Sequence, residues 1–317
     1  MESSKILVTG GNGFIGAKVV ERLVSLGYAP ITMLRKNNDR KRLLHVLDKI
    51  KIFEASLENA KDTSAILKKT NPEIIIHLAG YGVYSYQDMS KENIQRMISS
   101  NVDVTMNLLY AAQNTDCKLF INTGSCFEYG SKDIPFDEES MLEPVNMYGV
   151  TKASATLLSR VFSKTSTFSL VTVRPFTAYG PGEDERRFIA TVIKQCLQGK
   201  NPTLTSQKIV RDYIYIEDVV DAYIAIVELG EKLSGEIINI STGKGTLLED
   251  AAKIIIQKTK ANVVVDIGSF PSRDGEVLSL VGEAKKAERL LKWKARYSLE
   301  EGIDKTIEWT KQASGLQ

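Results

Sequence analysis

Two side chains that could move a proton, Tyr148 and Lys152, stand four residues apart in Tyr-Gly-Val-Thr-Lys. In a helix this spacing places the phenol and the ammonium on one face. A phenol has a pKa of about 10, which is too high for acid–base catalysis at neutral pH unless a nearby positive charge lowers it. The pair therefore predicts a site in which Tyr148 exchanges a proton with the oxygen of a bound carbonyl or alcohol.

Ser125 is a third candidate, because it follows the apolar run Leu119–Thr123, which predicts a buried strand. Open α/β sheets bind ligands beyond the carboxyl ends of their strands, so the Ser125 hydroxyl is expected to donate a hydrogen bond to the same oxygen. Its neighbour Cys126 could suggest a thiol nucleophile, but neither histidine of the sequence is placed to pair with it. We therefore interpret Cys126 as a small residue that lines the substrate site.

A glycine-rich segment from Thr9 to Gly16 follows the first predicted strand and opens the first predicted helix. Glycines in this context permit a tight turn and let the backbone approach a pyrophosphate, while the helix N-terminus offers free N–H donors. The segment predicts a nicotinamide dinucleotide site, and Lys152 would bind the nicotinamide ribose. The predicted cofactor contacts in this segment are Gly10, Gly13, Phe14, Ile15 and Gly16.

The end of the second predicted strand carries Arg35 and Lys36, where an NAD-specific protein would place an acidic residue for the ribose hydroxyls. A guanidinium can bind a 2′-phosphate, whereas a carboxylate would repel it. These two residues therefore favour NADPH, with NAD as the alternative. The other interpretation is a solvated basic turn, since three more basic residues follow at positions 40–42.

Alternating strand-like and helix-like segments must position these side chains. We predict strands at Lys5–Val8, Ala29–Leu34, Lys51–Glu54, Ile74–His77, Leu119–Thr123 and Ser169–Val173. The segments between them predict helices, among them Ile15–Ser25, Ala60–Lys69, Ile94–Gln113 and Met147–Lys164. This alternation is typical of an α/β fold with a Rossmann-type, doubly wound parallel sheet.

The strict alternation ends after Pro175. Glu183–Lys200 predicts an amphipathic helix, Glu236–Ile240 a strand that returns to the sheet as its last member, Val263–Ile267 a further strand, and Leu299–Gln312 a final helix. We therefore predict a cofactor domain of residues 1–175 and 217–243. Residues 176–216 and 244–317 are expected to form a smaller, discontinuous α/β substrate lobe.

The composition favours a soluble enzyme over other classes. The 317 residues include 41 basic and 39 acidic side chains, a balance that gives no reason to expect a nucleic-acid or membrane-surface partner. Three widely spaced cysteines and two histidines argue against a disulfide framework and against a metal site. No apolar run approaches the length of a membrane span, and the chain shows no secretory leader, so we expect a cytoplasmic protein.

Further segments carry a resemblance to a known family. They are His77–Gly80, Asn101–Leu109, Arg174–Gly182 and Arg211–Val219. With the glycine segment, Ser125 and the Tyr148–Lys152 pair, they resemble the extended short-chain dehydrogenases/reductases of the NAD-dependent epimerase/dehydratase family that act on nucleotide sugars. The resemblance implies a lobe that holds a nucleoside-diphosphate sugar and a homodimer formed through a four-helix bundle. It also implies further cofactor contacts at Leu57, Leu78, Ala79, Asn101, Thr123, Pro175 and Thr177.

The active-site triplet separates the reactions that this family performs. Dehydratases of the family carry Thr-Asp-Glu where this chain has Gly124-Ser125-Cys126, and Glu128 lies two residues later, so dehydration is disfavoured. Arg35 and the Ser-Cys-Phe-Glu-Tyr-Gly segment resemble reductases that convert a nucleoside-diphosphate 4-keto-6-deoxyhexose to the 4-hydroxy sugar with NADPH. An epimerase with tightly bound NAD, a noncatalytic dinucleotide sensor and a reductase of a non-nucleotide ketone stay open as alternatives.

The resemblance also implies substrate residues. It places one arginine before an Asp-Tyr pair and another in a loop near the carboxyl end, here Arg211 and Arg273, and two guanidinium groups suit two phosphates. Tyr84 lies in a loop expected to overhang the nicotinamide and could touch the sugar. His77 ends a buried strand and is interpreted as packing under the cofactor loop.

Overall fold

The computed structural model describes residues 4–272 and 275–315. In chain order the strands are β1 Ile6–Thr9, β2 Ile31–Leu34, β3 Lys51–Glu54, β4 Ile74–His77, β5 Leu119–Thr123, β6 Ser169–Pro175, β7 Thr177–Tyr179, β8 Thr203–Leu204, β9 Val210–Arg211, β10 Tyr213–Tyr215, β11 Ile237–Ile240, β12 Thr246–Leu247, β13 Asp266–Ile267 and β14 Ser279–Leu280. The α-helices are α1 Phe14–Ser25, α2 Ala60–Thr70, α3 Lys91–Ile98, α4 Val104–Ala112, α5 Met147–Phe162, α6 Phe188–Leu197, α7 Ile216–Leu229, α8 Leu248–Thr259, α9 Lys285–Leu291 and α10 Leu299–Ser314.

Seven of the strands form one parallel sheet in the order β11-β6-β5-β4-β1-β2-β3. Strands β2 and β4 pair with opposite sides of β1, so the order of the strands reverses there. This is the doubly wound Rossmann-type α/β fold that the sequence predicts. The reversal opens a crevice beyond the carboxyl ends of β1 and β4, where such sheets bind ligands.

Helices cover both faces of the sheet because the strands are apolar on both sides. Ile6 and Val8 of β1 belong to one buried cluster, whereas Leu7, between them, belongs to another. Helices α1 and α7 pack together on the first face, and α2 packs on α4 on the second. Strands enclosed in this way read as continuous apolar runs, which explains why the sequence predicts them.

Three predicted elements differ from those observed. The helix expected over Glu183–Lys200 is shorter, since α6 begins at Phe188 and ends at Leu197. The continuous helix expected over Ile94–Gln113 is divided by a π-helical turn at Ser99–Asp103, which separates α3 from α4. Side-chain periodicity does not reveal such a turn, since it adds only one residue to the helix. The strand expected at Val263–Ile267 is confined to β13, because its partner β8 is also only two residues long and β13 is exposed.

Short strands form three small sheets outside the main one, β10-β7, β12-β9-β14 and β13-β8. The chain leaves the main sheet after β6 and returns to it as β11, the edge strand expected near Glu236–Ile240. This excursion fits the proposed discontinuous lobe of residues 176–216 and 244–317. Among residues 4–272 and 275–315, none of the helices combines the length and apolar character needed to cross a bilayer.

Candidate active site

A crevice of about 300 Å³ lies at the carboxyl edge of the sheet and contains the predicted catalytic residues. The glycine segment, the loop after β4, the turn after β5, the start of α5 and the β6–β7 junction all line it. The predicted residues that line it are Gly10, Gly13, Phe14, Ile15, Gly16, Leu78, Tyr84, Thr123, Ser125, Cys126, Tyr148, Lys152, Pro175 and Thr177. The fold therefore brings most of the sequence-predicted site into one place.

The glycine segment fits closely against the loop after β4. Gly10 has φ +67°, and a Cβ there would lie 2.6 Å from the Ala79 nitrogen, so a side chain is excluded. A Cβ on Gly16 would lie 2.1 Å from the carbonyl oxygen of Gly10. The backbone that these glycines allow leads directly into the N-terminus of α1 at Phe14. This cradle suits a dinucleotide pyrophosphate.

Tyr148 lies in the first turn of α5. Asn146 caps the N-terminus of this helix, since its side chain accepts a hydrogen bond from the Gly149 N–H (2.9 Å). Burial raises the pKa of Tyr148 to about 12, although a hydrogen bond with Ser125 favours the ionised form. Both side chains line the same crevice, as the predicted chemistry requires. The phenol is held protonated at neutral pH, which suits a proton donor to a carbonyl oxygen.

Lys152 is buried one turn further along α5, and burial lowers its pKa to about 8. Its ammonium donates to the carbonyl oxygen of Thr123 at the end of β5. The sequence predicts that Lys152 and the positive charge of the nicotinamide together lower the pKa of Tyr148. In the chain without cofactor, burial raises that pKa instead, so the lowering stays a prediction for the cofactor-bound enzyme.

Three predicted cofactor residues, Leu57, Ala79 and Asn101, do not line the crevice. Asn101, in the π-helical turn, accepts from the Tyr81 N–H (2.9 Å) and donates to the hydroxyl of Thr151 (2.9 Å). It thus ties the loop after β4 to α5. Ala79 lies against Gly10, and Leu57 packs on the apolar cluster beneath the sheet.

His77 is buried between two threonine hydroxyls at the end of β4. Its Nδ1 lies 2.7 Å from the hydroxyl of Thr9, and its Nε2 lies 3.1 Å from that of Thr105. Burial lowers the pKa of His77 to about 3, so the imidazole is neutral. This is consistent with its interpretation as a packing residue rather than an acid or base.

A second, open pocket of about 680 Å³ lies at the ends of β2 and β3. Arg35, Lys36 and Arg96 line it. Arg35 donates to the Ser100 hydroxyl (3.3 Å) and lies 3.7 Å from the carboxylate of Glu58. The position of Arg96, on α3, in this pocket was not predicted from the sequence, because no local pattern places that helix beside β2.

Of the two arginines predicted for the diphosphate, Arg211 lies within the described residues. Arg211 forms a buried ion pair with Glu276 (2.6 Å), each side chain being only 9% exposed, and it does not line the crevice. A ligand phosphate would therefore have to compete with a carboxylate already in place. Arg273 lies outside the described residues.

Glu183 and Arg187 line the crevice near Tyr84, although the sequence did not predict them as site residues. Their side chains form an ion pair (3.1 Å), and burial raises the pKa of Glu183 to about 7. The sequence signal is the run of three acidic residues, Glu183–Glu185, that follows Gly182, where the chain leaves β7. Cys126 also lines the crevice, and burial raises the pKa of its thiol to about 12, which keeps it un-ionised.

Residues 6–241 match the model of the NAD dependent epimerase/dehydratase family. The chain belongs to this family. The match covers the glycine segment, the serine turn, the Tyr148–Lys152 pair and the return of β11 to the sheet. The chain is thus an enzyme of the extended short-chain dehydrogenase/reductase type, in the class of NAD(P)-dependent oxidoreductases.

Relatives within the epimerase/dehydratase family align over nearly the whole chain. A bifunctional UDP-glucose and UDP-xylose 4-epimerase of Pisum sativum is 26% identical over 98% of this chain and 96% of its own length. A UDP-glucuronate 4-epimerase of Thermodesulfobacterium geofontis is 28% identical, with 96% of each chain covered. The solved UDP-glucose 4-epimerase of Thermotoga maritima, with UDP-glucose, has a TM-score of 0.88 and 27% identity over 98% of this chain and 99% of its own.

These members of the family bear on the reaction and the cofactor. The relatives just named are 4-epimerases, so they favour the epimerase alternative over the 4-keto reductase. The UDP-glucuronic acid 4-epimerase of Bacillus cereus, solved in complex with NAD, has a TM-score of 0.87 and 25% identity over 98% of this chain and 99% of its own. A nicotinamide dinucleotide is therefore supported as the family cofactor, whereas the NADPH preference predicted from Arg35 is not specifically supported.

Proposed function

We propose that this protein transfers a hydride at C4 of a nucleoside-diphosphate hexose, with Tyr148 exchanging the proton of the reacting oxygen. The observation that carries the proposal is that Ser125, Tyr148 and Lys152 line one crevice together with the glycine cradle. The nicotinamide, when bound, supplies or accepts the hydride. Tyr148 donates its proton to the 4-keto oxygen, and Ser125 donates a hydrogen bond that polarises the same carbonyl.

Arg35 favours NADPH-dependent reduction of a 4-keto-6-deoxyhexose as the specific reaction. The pocket at the ends of β2 and β3 presents Arg35, Lys36 and Arg96, and arginine followed by lysine occupies the position where NAD enzymes carry an acidic residue. These cations suit a 2′-phosphate. An enzyme that consumes a reduced cofactor in each turnover has a use for NADPH, whereas an epimerase regenerates its own cofactor.

A 4-epimerase that retains NAD is the second candidate, because the relatives named above are UDP-sugar 4-epimerases. The same side chains would serve it with Tyr148 as a phenolate that takes the proton of the 4-hydroxyl and later returns it. Because burial alone holds the phenol protonated, this route needs the positive charge of the bound oxidised nicotinamide to lower the pKa of Tyr148. This candidate gives no role to Arg35 beyond its contacts with Ser100 and Glu58. The fate of the cofactor therefore separates the two candidates.

The first experiment follows the absorbance of reduced nicotinamide. NADPH is mixed with the purified protein and a thymidine-, cytidine-, guanosine- or uridine-diphosphate 4-keto-6-deoxyhexose, with NADH in parallel. Oxidation of NADPH at a rate that depends on the sugar is the expected result. Absence of oxidation, together with NAD released on denaturation and conversion of UDP-glucose to UDP-galactose, would replace the reductase by the epimerase.

Arg35→Asp is expected to reverse the cofactor preference. Loss of a charge-assisted hydrogen bond and gain of a repulsive carboxylate should lower kcat/KM for NADPH by about 10- to 100-fold, with little loss for NADH. The measurement is the ratio of the two kcat/KM values. Lys41→Asp is the matched control, since the Lys41 side chain is 86% exposed and does not line the pocket. An unchanged ratio in Arg35→Asp would remove the 2′-phosphate assignment.

We further propose that the protein forms a homodimer through α4 and α5. Five apolar side chains of these two helices are exposed, namely Met106, Tyr110, Val150, Leu157 and Val161. On α5 they recur at the spacing of one helix face, and α4 packs beside α5. Two such helix pairs would build the four-helix bundle that the sequence resemblance implies.

A charged substitution in this surface is expected to dissociate the dimer. Leu157→Glu places a carboxylate on a side chain that is 50% exposed in the single chain and would be covered in the bundle. Sedimentation velocity should show the wild-type protein at twice the monomer mass and Leu157→Glu at the monomer mass. Met141→Glu, at a residue 69% exposed on neither helix, should remain dimeric. A monomeric wild-type protein at micromolar concentration would contradict the proposal.

A further inference from the structure

One buried carboxylate connects three separate parts of the active site. Glu128, which is 0% exposed, accepts hydrogen bonds from the Ser125 N–H (2.7 Å) and from the hydroxyl of Thr156 (3.0 Å). It also forms an ion pair with Arg174 (2.8 Å). These partners belong to the turn after β5, to α5 one helical turn beyond Lys152, and to β6. The carboxylate therefore fixes the catalytic serine relative to the helix that carries the catalytic pair.

The arginine of this ion pair is held from its other side. Arg174, 1% exposed, donates to the hydroxyl of Tyr129 (2.7 Å), and that hydroxyl donates to the side-chain oxygen of Asn239 on β11 (2.7 Å). The guanidinium also lies 4.6 Å from the centre of the Tyr129 ring. Every member has a partner, which is the condition under which a buried polar network is rigid rather than costly. A rigid carboxylate holds its partners at fixed distances.

The backbone around Glu128 also leaves room for it. A Cβ on Gly124 would lie 2.4 Å from the Glu128 carboxylate oxygen, so only glycine fits before Ser125. The Ser125 hydroxyl in turn accepts from the Phe127 N–H (3.2 Å), which closes a reciprocal capping box with Glu128. This box leaves the serine proton available for the Tyr148 hydroxyl or for a substrate oxygen.

We propose that Glu128 is a positioning residue of the active site. It accepts from the Ser125 N–H while Lys152 donates to the Thr123 carbonyl oxygen, so the two side chains hold the turn Thr123–Ser125 from two sides. The proposal rests on the proposed function for its kinetic consequences. The structure of the ion pair also excludes Glu128 as a second acid or base, since its oxygens are used by Ser125, Thr156 and Arg174. Glu128 acts through its neighbours and does not line the crevice.

The groups around Lys152 make its pKa a readout of the charge of Glu128. Burial disfavours the charged ammonium and lowers its pKa, and the negative charge of Glu128 opposes that effect. Tyr148 on the same helix is held protonated by burial, and His77 at the end of β4 is neutral because burial lowers its pKa. Arg174 is paired with Glu128, and Glu183 and Arg187, the two charged groups that line the same crevice as Lys152, are paired with each other. Removal of the Glu128 charge should therefore make Lys152 lose its proton at a lower pH.

The test compares the titration of Lys152 in the wild-type protein and in Glu128→Gln. Acetylation of Lys152 by acetic anhydride, measured by mass spectrometry across pH, reports the deprotonated fraction without any substrate. We expect the midpoint of labelling to move about 1 pH unit downward in the variant. In an active preparation the alkaline limb of kcat should move in the same direction, because the ammonium is needed and is lost as pH rises through its pKa.

A second variant and a control keep the test decisive. Glu128→Gln leaves Arg174 buried without its anion and could fail to fold, so Glu128→Gln with Arg174→Met removes both charges and should still show the downward shift. Glu138→Gln is the matched control, because Glu138 accepts from the Asn239 N–H (2.8 Å) and contacts neither Ser125 nor Lys152. An unmoved midpoint in a folded Glu128 variant would overturn the inference. A shifted midpoint in a protein with no sugar turnover would retain it and reject only the proposed function.

Discussion

Tyr148→Phe is expected to lower kcat by about 10²- to 10⁴-fold, because it removes the hydroxyl proposed to donate the proton beside Ser125 in the crevice. The ring itself remains, with its edge-to-face contact to Phe127 (5.7 Å between ring centres), so the crevice should keep its shape. The measurements are kcat with the best sugar substrate and the dissociation constant of the cofactor from fluorescence titration. We expect the dissociation constant to change by less than about threefold, since no packing is lost.

A tyrosine far from the crevice provides the control for this substitution. Tyr297→Phe removes a hydroxyl that donates to Glu217 (2.6 Å) and leaves the crevice untouched. Its kcat should equal that of the wild-type protein. Tyr148→Phe could keep full turnover with the 4-keto-6-deoxyhexose substrates and with UDP-glucose only if the proton came from another group. That result would show that the mechanism proposed for Ser125 and Tyr148 is wrong.

Arg174→Met is expected to lower the free energy of unfolding by about 3–5 kcal/mol, because it leaves the Glu128 carboxylate buried without its cation. Denaturant unfolding followed by circular dichroism measures the loss. Combination with Glu128→Gln should recover most of it, since the second change removes the unpaired charge. A loss in the double variant that is smaller than the sum of the two single losses is the sign of direct coupling.

A surface arginine serves as the comparison for this loss. Arg186 pairs with Asp184 (2.8 Å), and its side chain is 67% exposed. Arg186→Met should therefore change the free energy of unfolding by less than about 1 kcal/mol, as is usual for exposed ion pairs. Equal losses in Arg174→Met and Arg186→Met would mean that the Glu128 carboxylate is relieved in another way, for example by protonation.

The sheet was predictable from the sequence because its signals are local. Continuous apolar runs such as Ile74–His77 are what strands covered on both faces require, and the glycine segment marks the first strand–helix junction. The return of β11 was also predictable, since Ile237–Ile240 is apolar enough to be buried. The π-helical turn at Ser99–Asp103 was not, because one additional residue hardly changes the pattern of apolar positions.

The candidate site was predictable where a motif fixes both residue type and spacing, as for Tyr148 and Lys152. It was not predictable where the partner is distant in the chain. The buried pairs of Glu128 with Arg174 and of Arg211 with Glu276 each join residues from different elements. A sequence shows that these side chains are charged, but burial and the choice of partner depend on the folded arrangement. For that reason the family resemblance assigns Arg211 to the substrate diphosphate, and the sequence gives Glu128 no role.

The π-helical turn has a consequence for how the length of this chain can vary. Deletion of one residue from Ser99–Asp103 would restore regular α-helical geometry and rotate α4 by about 100° relative to α3. Leu108, which packs beneath the sheet, would then turn away from its buried position, and Met106 would leave the exposed face that it now occupies. The Asn101 clamp on Tyr81 and Thr151 would be lost at the same time. Insertions and deletions that the surface loops tolerate are therefore excluded from this helix.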